Sequence, residues 1–264
     1  MAALCLTTFL TGCQAPPTDK LVITGSSTVA PLISDIAKRF EEQRPGVRVD
    51  VQTGGSSRGL SDARQGLADI GMVSRAPKDG EDDLRWFAVA KDGLAIIAHA
   101  NNPLDGLARE HVAAIYRGEL KNWSEAGGHE APITVVSKAE GRSTLEVFLQ
   151  HFGLATADIQ ASVIIGDNQQ GLKTVAGNPD AIGYVSIGAA EIEIARGVPI
   201  KLLALGESEP STQAVREDRY PIARTLHLVS AGPPAGLAAE FLEYCRSTEV
   251  HDLVEGQSLV PLAG

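Results

Sequence analysis

The feature that most constrains the fold of this chain is a regular alternation of short apolar runs with amphipathic stretches, which begins near residue 20. Residues 21–24 and 47–51 have the pattern of strands, and residues 29–43 place their apolar side chains on one face of a helix. A short helix over 60–67 and a third strand over 69–73 follow. Strands and helices that alternate in this way predict a parallel α/β sheet with right-handed crossovers.

The rest of the chain continues this alternation. Two strand candidates lie within residues 86–98, separated by Lys91, Asp92 and Gly93. Further expected elements are helices over 109–117 and 143–152, strands over 133–137, 162–165, 181–186 and 226–230, and two helices within 235–255. Such a chain is long enough for two lobes, and ligands of α/β folds bind at the carboxyl ends of strands, where loops enter helices.

Charge and composition exclude several classes of function. The 264 residues include 23 Lys and Arg against 33 Asp and Glu, a formal net charge of −10, which disfavours nucleic acid and anionic lipid as partners. No apolar run approaches the roughly 20 residues that a membrane-spanning helix needs. The three cysteines and six histidines have no metal-ligand spacing, so we expect no metal and no cofactor.

The N-terminus has the pattern of an export signal. Residues 1–13, MAALCLTTFLTGC, resemble the end of a lipoprotein signal peptide, in which a peptidase cuts before the cysteine and a lipid is attached to it. This predicts a signal peptide over 1–12, a lipid on Cys13 and a polar tether over 13–19. Because no Lys or Arg precedes Lys20, we expect the natural signal peptide to begin further upstream. The alternative is a buried N-terminal strand that ends in Gly-Cys.

Three strand-to-helix junctions combine glycine with hydroxyl residues, at 25–28 (GSST), 54–59 (GGSSRG) and 141–144 (GRST). The N-terminus of a helix presents free N–H groups and a partial positive charge, and glycine lets a ligand approach the backbone. Three converging junctions would therefore bind an anion, whereas each alone would be only a helix cap. No junction has the spacing of a nucleotide-binding loop. The nearby cations are Arg58, Arg75, Lys138 and Arg142.

The order and spacing of longer motifs resemble one known family. The motifs lie at residues 25–32, 54–57, 68–75, 177–186, 220–224 and 259–262, and the similarity runs from about 20 to 262. They resemble the phosphate-binding proteins of bacterial phosphate ABC importers. The resemblance implies a two-lobed periplasmic-binding-protein fold (type II-like), in which each lobe is a mostly parallel sheet flanked by helices and the ligand lies in the cleft. Lobe one would be residues 20–98 plus 225–264, and lobe two residues 99–224.

The same resemblance implies a set of phosphate ligands, carried over position by position. The phosphate-binding residues would be Ser27, Thr28, Ser56 and Ser74 from lobe one and Arg142, Ser143 and Thr144 from lobe two. Secondary candidates are Ser26, Ser57, Arg75 and Lys138. No catalytic residue is implied.

Three positions depart from the family pattern. Many members have Asp at the position of Ser74, where a carboxylate accepts the proton of hydrogen phosphate and rejects a fully ionised oxyanion. A serine hydroxyl can accept as well as donate, so phosphate remains allowed, but rejection of sulfate does not follow. Arg142 replaces a small residue and either contacts the oxyanion or is solvated. Lys138 stands where the family commonly has Arg, which suits a forked contact better.

Taken together, the resemblance implies a substrate-binding protein that captures inorganic phosphate and delivers it to an inner-membrane ABC permease. Such a protein would be monomeric, would not be an enzyme, and would lie in the periplasm or at the cell surface, held to the membrane only through the lipid on Cys13. The ligand would shift an open–closed equilibrium, since it touches both lobes only when they close. Alternatives are another small oxyanion (sulfate or molybdate), a lipid-anchored sensor without transport, and a hydrolase. The hydrolase is disfavoured because no Gly-x-Ser-x-Gly elbow is present.

Overall fold

The computed structural model describes residues 19–262, so the predicted signal peptide, the predicted lipidation site Cys13 and most of the predicted tether lie outside the described residues. Within the described range the strands are β1 (Asp19–Gly25), β2 (Val47–Thr53), β3 (Ile70–Val73), β4 (Arg85–His99), β5 (Gly106–Leu107), β6 (Thr134–Lys138), β7 (Val163–Ile165), β8 (Ala181–Ser186), β9 (Ile200–Leu205) and β10 (Ala223–Ser230). The helices are α1 (Ala30–Gln43), α2 (Ser56–Gln65), α3 (Arg109–Tyr116), α4 (Ser143–Phe152), α5 (Asn168–Ala176), α6 (Ile187–Ala195), α7 (Thr212–Arg216), α8 (Gly236–Cys245) and α9 (His251–Gly256). Single 3₁₀ turns occupy Trp123–Ala126, Thr156–Asp158 and Thr248–Val250.

The strands pair in the order β2-β1-β3-β10-β4-β8-β6-β7, with β9 attached to β4 and β5. Parallel pairing joins β1 to β2 and β3, and joins β6 to β7 and β8, as the βαβ pattern predicts. β10 runs antiparallel to both β3 and β4, and β4 runs antiparallel to β8 and β9. The first part of the sheet consists of β1, β2, β3, β10 and residues 85–93 of β4, and the second part consists of the rest of β4 with β5 to β9. The sheet is mixed where these two parts meet, whereas the alternation alone predicted parallel strands.

The long strand β4 joins the two parts of the sheet. Its residues 85–93 pair with β10, and its residues from Leu94 onward pair with β8 and β9. The prediction of two separate strands over 86–98 is wrong, because the Lys91-Asp92-Gly93 segment stays extended and does not turn. Asp92 is buried there and forms an ion pair with Arg224, so a polar residue in this strand signals a paired charge rather than a loop.

Each part of the sheet is stabilised by a large apolar cluster of its own. In the first part, α1 buries Leu32, Ile33, Ile36 and Phe40, and the Phe40 ring meets Phe241 of α8 edge-on at 5.1 Å. This is the apolar face that the helical period predicts, and each such side chain contributes roughly 1.5–3 kcal/mol on burial.

In the second part, the rings of Phe148 on α4 and Tyr184 on β8 stack at 4.1 Å, and Tyr116 on α3 lies against both. This packing fixes α4 on the sheet, so the position of its N-terminus is set by buried aromatic contacts rather than by a loop. Along residues 19–262, no helix combines the length and apolarity required to cross a bilayer.

Candidate functional site

The first junction folds tightly because of Gly25, which has φ of +134° at the end of β1. A Cβ on Gly25 would lie 2.3 Å from the carbonyl oxygen of Met72, so only glycine fits. The carbonyl of Gly25 accepts hydrogen bonds from the N–H groups of Gly54 and Gly55, both at 2.9 Å. These bonds place the loop that enters α2 beside the loop that enters α1.

The N-terminus of α2 is also tied to the end of β3. Ser56, the first residue of α2, accepts a hydrogen bond at its Oγ from the N–H of Ser74 at 3.3 Å. Ser26 Oγ accepts from the N–H of Thr28 at 3.2 Å at the start of α1. Backbone N–H groups thus hold the hydroxyls of Ser26 and Ser56 in place. Each hydroxyl keeps its own proton and a second lone pair for a ligand, and both residues line the same cavity.

The third junction approaches from the other part of the sheet. The carbonyl of Gly141 accepts a hydrogen bond from the N–H of Ser57 at 3.2 Å, so the loops before α4 and in α2 touch directly. Arg142 lies at the N-cap of α4, and a Cβ on Gly55 would come within 2.9 Å of its Cδ atom. The three junctions predicted from the sequence therefore converge.

Where the junctions meet they enclose a very small cavity, with a volume of about 10 Å³. It is lined by Ser26, Ser27, Thr28, Gly55, Ser56, Ser74, Lys138, Arg142, Ser143, Thr144 and Gly166. This volume is below the roughly 300–1,000 Å³ of sites for larger organic ligands, so the space suits a small ion. None of the lining residues is a carboxylate, and the groups that face the cavity are hydroxyls, N–H groups and cations.

One hydroxyl of this lining has no partner. Ser143 is only 2% exposed, yet its Oγ makes no hydrogen bond to any described residue. A buried polar group left unpaired costs about 1–3 kcal/mol, which is why native proteins rarely leave one without a ligand, ion or water. Ser143 lies at the first position of α4, where the helix N–H groups are also free.

Lys138 places a buried amine at the cavity. It is 5% exposed, and its Nζ donates one hydrogen bond, at 3.0 Å, to Oδ1 of Asn168 on α5. Burial, followed by repulsion from the Arg224 charge, lowers the pKa of Lys138 to about 7. Its backbone N–H donates to the hydroxyl of Tyr184 at 3.1 Å, which fixes the end of β6 beside the cavity.

Arg224 lies directly behind the cavity and joins its two sides. Its guanidinium donates to Oγ1 of Thr144 at 3.0 Å and to Oγ1 of Thr28 at 3.4 Å. Asp92 holds it through a buried ion pair at 2.8 Å, and Ser186 donates to the same carboxylate at 2.9 Å. The guanidinium therefore orients two threonine hydroxyls whose other side faces the cavity.

Nine of the eleven predicted site residues line this cavity. Two secondary candidates do not: Ser57 is exposed in the first turn of α2, and Arg75 is engaged elsewhere. Arg75 pairs with Glu81 at 2.7 Å and with Glu146 of α4 at 2.9 Å, so both of its charge partners come from outside the cavity. Glu146 also pairs with Lys78, and these ion pairs connect the two parts of the sheet on a second side of the cavity.

Sequence reasoning missed three residues that hold the lining in place. Arg224, Asp92 and Asn168 belong to distant segments, and no local motif connects them. The available signal was the presence of Asp92 and Arg224 within otherwise apolar strands, since buried charges are paired. Asn168 was not marked by any pattern that we recognised. Residues 19–262 include no group of three or more His, Cys, Asp or Glu side chains placed to hold a metal ion.

The fold and this site can be compared with known proteins. A family model described as a PBP superfamily domain matches residues 13–249, most of the chain. The chain belongs to the PBP superfamily. This confirms the fold class inferred from the sequence motifs.

Two solved structures share the PBP superfamily fold across nearly the whole chain. A phosphate ABC transporter substrate-binding protein from Clostridium perfringens, solved with bound phosphate, is 29% identical and has a TM-score of 0.86, over 92% of this chain and 100% of that one. An ABC-type phosphate transport receptor from Vibrio cholerae is 28% identical with a TM-score of 0.76, over the same shares. Among curated proteins, the phosphate-binding protein PstS of Bacillus subtilis is 29% identical over 247 residues, 92% of this chain and 80% of that protein.

Proposed function

We propose that this chain captures inorganic phosphate in the cavity at the three helix N-termini and delivers it to an ABC permease. The observation that carries the proposal is the lining itself: a small space among buried residues, with hydroxyls, free N–H groups and a buried lysine, and no carboxylate. Helix N-termini bind oxyanions through backbone N–H groups and dipoles. The similar proteins from Clostridium perfringens, Vibrio cholerae and Bacillus subtilis are all named for phosphate, which supports the same ligand here.

Each part of the lining has a role in this proposal. Ser27, Thr28, Ser56 and Ser74 bind the anion from one part of the sheet, and Arg142, Ser143 and Thr144 from the other, with Ser26 and Lys138 beside them. The free hydroxyl of Ser143 gains its missing partner when phosphate enters. Because Ser74 can accept as well as donate a hydrogen bond, it tolerates a protonated phosphate oxygen.

The two-lobed division is also part of the proposal, with lobe one as residues 20–98 plus 225–264 and lobe two as residues 99–224. The pairing partners of β4 change at Gly93 and Leu94. This supports a first passage of the chain from lobe one to lobe two a few residues before residue 98. β10 pairs with β3 and with residues 85–93 of β4. This supports a return of the chain from lobe two to lobe one near Ala223. Phosphate would bridge these lobes and favour the closed state.

Further parts of the proposal follow from the transport role. The protein would be a monomeric binding protein rather than an enzyme, and would be held outside the cytoplasm by a lipid on Cys13. The histidine contacts to His227, His129 and His99 go to other partners than the lining serines, which supports a binding role over Ser–His catalysis. A negative phosphoester hydrolysis assay would support this part, and turnover would contradict it.

Calorimetric titration tests the ligand. The purified protein, stripped of bound ligand by partial unfolding and refolding, is titrated with phosphate, sulfate and molybdate in turn. We expect tight phosphate binding and a higher melting temperature, because ligand at about 1,000 times its Kd stabilises the folded state by roughly 4 kcal/mol. Preference for sulfate or molybdate would retain the site and overturn the ligand, and no binding by any oxyanion would overturn the site.

A matched pair of variants locates the binding. Thr144→Val removes a hydroxyl from the lining and leaves an Arg224 donor unpaired, whereas Thr174→Val removes a helical threonine hydroxyl bonded only within α5. We expect Thr144→Val to weaken phosphate binding by at least about tenfold, because a hydrogen bond to a charged group contributes about 1.5–3 kcal/mol. Thr174→Val should bind as the unaltered protein does.

A further inference from the structure

Lys138 is in an unusual position for an ammonium group. It lies at the end of β6, is 5% exposed and makes one side-chain hydrogen bond, to the amide oxygen of Asn168. That amide in turn donates to Thr28 at 3.2 Å, so its oxygen is fixed toward the lysine. An ammonium has three donors, and two of them have no acceptor among residues 19–262. The group is thus desolvated without a carboxylate to compensate it.

The charges that face Lys138 from the neighbouring elements are mostly of its own sign. Arg224 of β10 and Arg142 of α4 both lower its pKa, and Asp167 at the start of α5 raises it. Asp167 is also the N-cap of α5, where its Oδ1 accepts from the N–H of Gln170 at 2.8 Å. Asp92 is bound to Arg224. The balance at Lys138 in the absence of an anion is therefore shifted toward the neutral amine, compared with a lysine in water.

The identity of this residue matters because arginine could not respond in the same way. A guanidinium stays charged at any ordinary pH, whereas a buried lysine loses its proton readily. The pKa of Lys138 is lowered to about 7, with burial as the largest cause. An oxyanion in the cavity adds the acceptors and the negative charge that the two unpaired donors lack, and so restores the ammonium.

We propose that Lys138 links phosphate capture to the uptake of a proton: the empty site holds the amine largely neutral above neutral pH, and the bound anion draws one proton from solvent onto Nζ. This rests on the proposed function. The step is R–NH₂ plus H⁺ giving R–NH₃⁺, with no other bond made or broken. Capture then senses pH through the protein as well as through the ionisation of phosphate itself.

The sign of the effect follows from linkage. The bound anion raises the pKa of Lys138 above its value in the empty site, so between the two pKa values binding takes up a proton. Phosphate affinity should therefore fall as pH rises through this interval, by up to about tenfold per pH unit in excess of the change due to phosphate ionisation. Well below the pKa of the empty site, Lys138 is charged in both states and contributes no pH dependence.

Proton uptake is measured by titrating phosphate into the whole protein in two buffers of different ionisation enthalpy, at about pH 6 and about pH 8. The unaltered protein is compared with Lys138→Arg, which keeps a permanent charge, and with Lys201→Arg, which makes the same change at a lysine paired with Asp105 outside the cavity. The protons that phosphate itself gains or loses on binding are the same for all three proteins, so they cancel when proton uptake is compared. We expect the unaltered protein and Lys201→Arg to take up close to one proton more than Lys138→Arg at the higher pH, and little more at the lower.

The outcomes separate this inference from the proposed function. Absence of phosphate binding by the unaltered protein at both pH values would overturn the function. Phosphate binding with equal proton uptake in the unaltered protein and Lys138→Arg would overturn the proton link alone. Should Lys138→Arg fail to fold, nitrogen-15 NMR of the lysine side chains in the unaltered protein decides: one amine that titrates near neutral pH only when phosphate is absent supports the link, and its absence overturns it.

Discussion

Among single residues, Ser143 gives the most direct test of the cavity because its hydroxyl is buried with no hydrogen-bond partner in the described part of the chain. Ser143→Ala removes that hydroxyl and should leave the free energy of unfolding of the ligand-free protein unchanged or slightly higher, since an unpaired polar group is removed. Phosphate affinity should fall by about 10- to 100-fold, the value of a hydrogen bond of about 1.5–3 kcal/mol to a charged group. Calorimetry and urea unfolding measure the two quantities.

The control for this change is Ser57→Ala. Ser57 is also a serine in the first turn of a helix, here α2, but its side chain is exposed. Its backbone N–H donates to the carbonyl of Gly141, and Ser57→Ala leaves this contact intact. Its substitution should alter neither affinity nor stability by more than about 0.5 kcal/mol. An equal loss of affinity in both variants would show that the phosphate does not lie at Ser143.

The residues of the site differ in how far sequence could predict them. Ser27, Ser56 and Ser143 stand at glycine-rich helix starts, a local pattern whose chemistry is visible without the fold. Asp92 and Arg224 are 132 residues apart, and their pairing depends on β10 lying beside β4. A contact of that kind is set by the order of strands in the sheet, which periodicity does not specify.

At the scale of elements, the approach of the α2 loop to the α4 loop depends on two glycines in contact. Gly55 has φ of +95°, and a Cβ there would lie 2.7 Å from the Gly141 carbonyl oxygen. Gly55→Ala should weaken phosphate binding by at least about tenfold, because separating the loops to relieve such overlap costs roughly 1–3 kcal/mol. Calorimetric titration measures the affinity.

Gly66→Ala is the matched control for that substitution. Gly66 also has positive φ, +67°, at the end of the same helix, but nothing lies within 4 Å of a Cβ placed on it. Both variants should lose folding free energy, about 1–2 kcal/mol through backbone strain for Gly66→Ala and more for Gly55→Ala, which also has to separate the loops, and only Gly55→Ala should lose affinity. Comparable affinity losses in the two would show that strain, and not the contact between loops, governs binding.

Most elements could be predicted because their signals are local. The apolar face of residues 29–43 gives α1 almost to the residue, and the strand over 181–186 is β8. The error over 86–98 has a physical cause: Lys91, Asp92 and Gly93 have turn-like composition, yet the strand continues because its two halves pair with different neighbours. Sequence composition reports local preference, and here tertiary pairing outweighs it.

At the scale of the whole molecule, contacts between the two parts of the sheet surround the cavity. Arg224 to Thr144, Asn168 to Thr28, and Glu146 to Arg75 all connect segments that pack in different apolar clusters. These contacts hold the two parts of the sheet against each other, and phosphate would stabilise this arrangement by binding both sides. We expect the radius of gyration to decrease when phosphate is added to ligand-free protein, as measured by small-angle X-ray scattering.

The scattering experiment has an internal comparison in the glycine variants. Gly66→Ala should contract with phosphate as the unaltered protein does, whereas Gly55→Ala, with its loops held apart, should contract less at saturating phosphate. Curves that superimpose with and without phosphate for the unaltered protein would mean that the two parts keep one arrangement and that binding is not coupled to closure.

The position of β10 also dictates the order in which the chain can fold during synthesis. β10 is inserted between β3 and β4, so these two strands, made long before it, have no partner on their facing edges until residues 223–230 emerge from the ribosome. Unpaired strand edges invite aggregation, and contacts of such long sequence separation form slowly. The sheet of the nascent chain therefore stays incomplete until synthesis is almost finished. Until then a chaperone or a translocation machinery can still bind the unpaired strands.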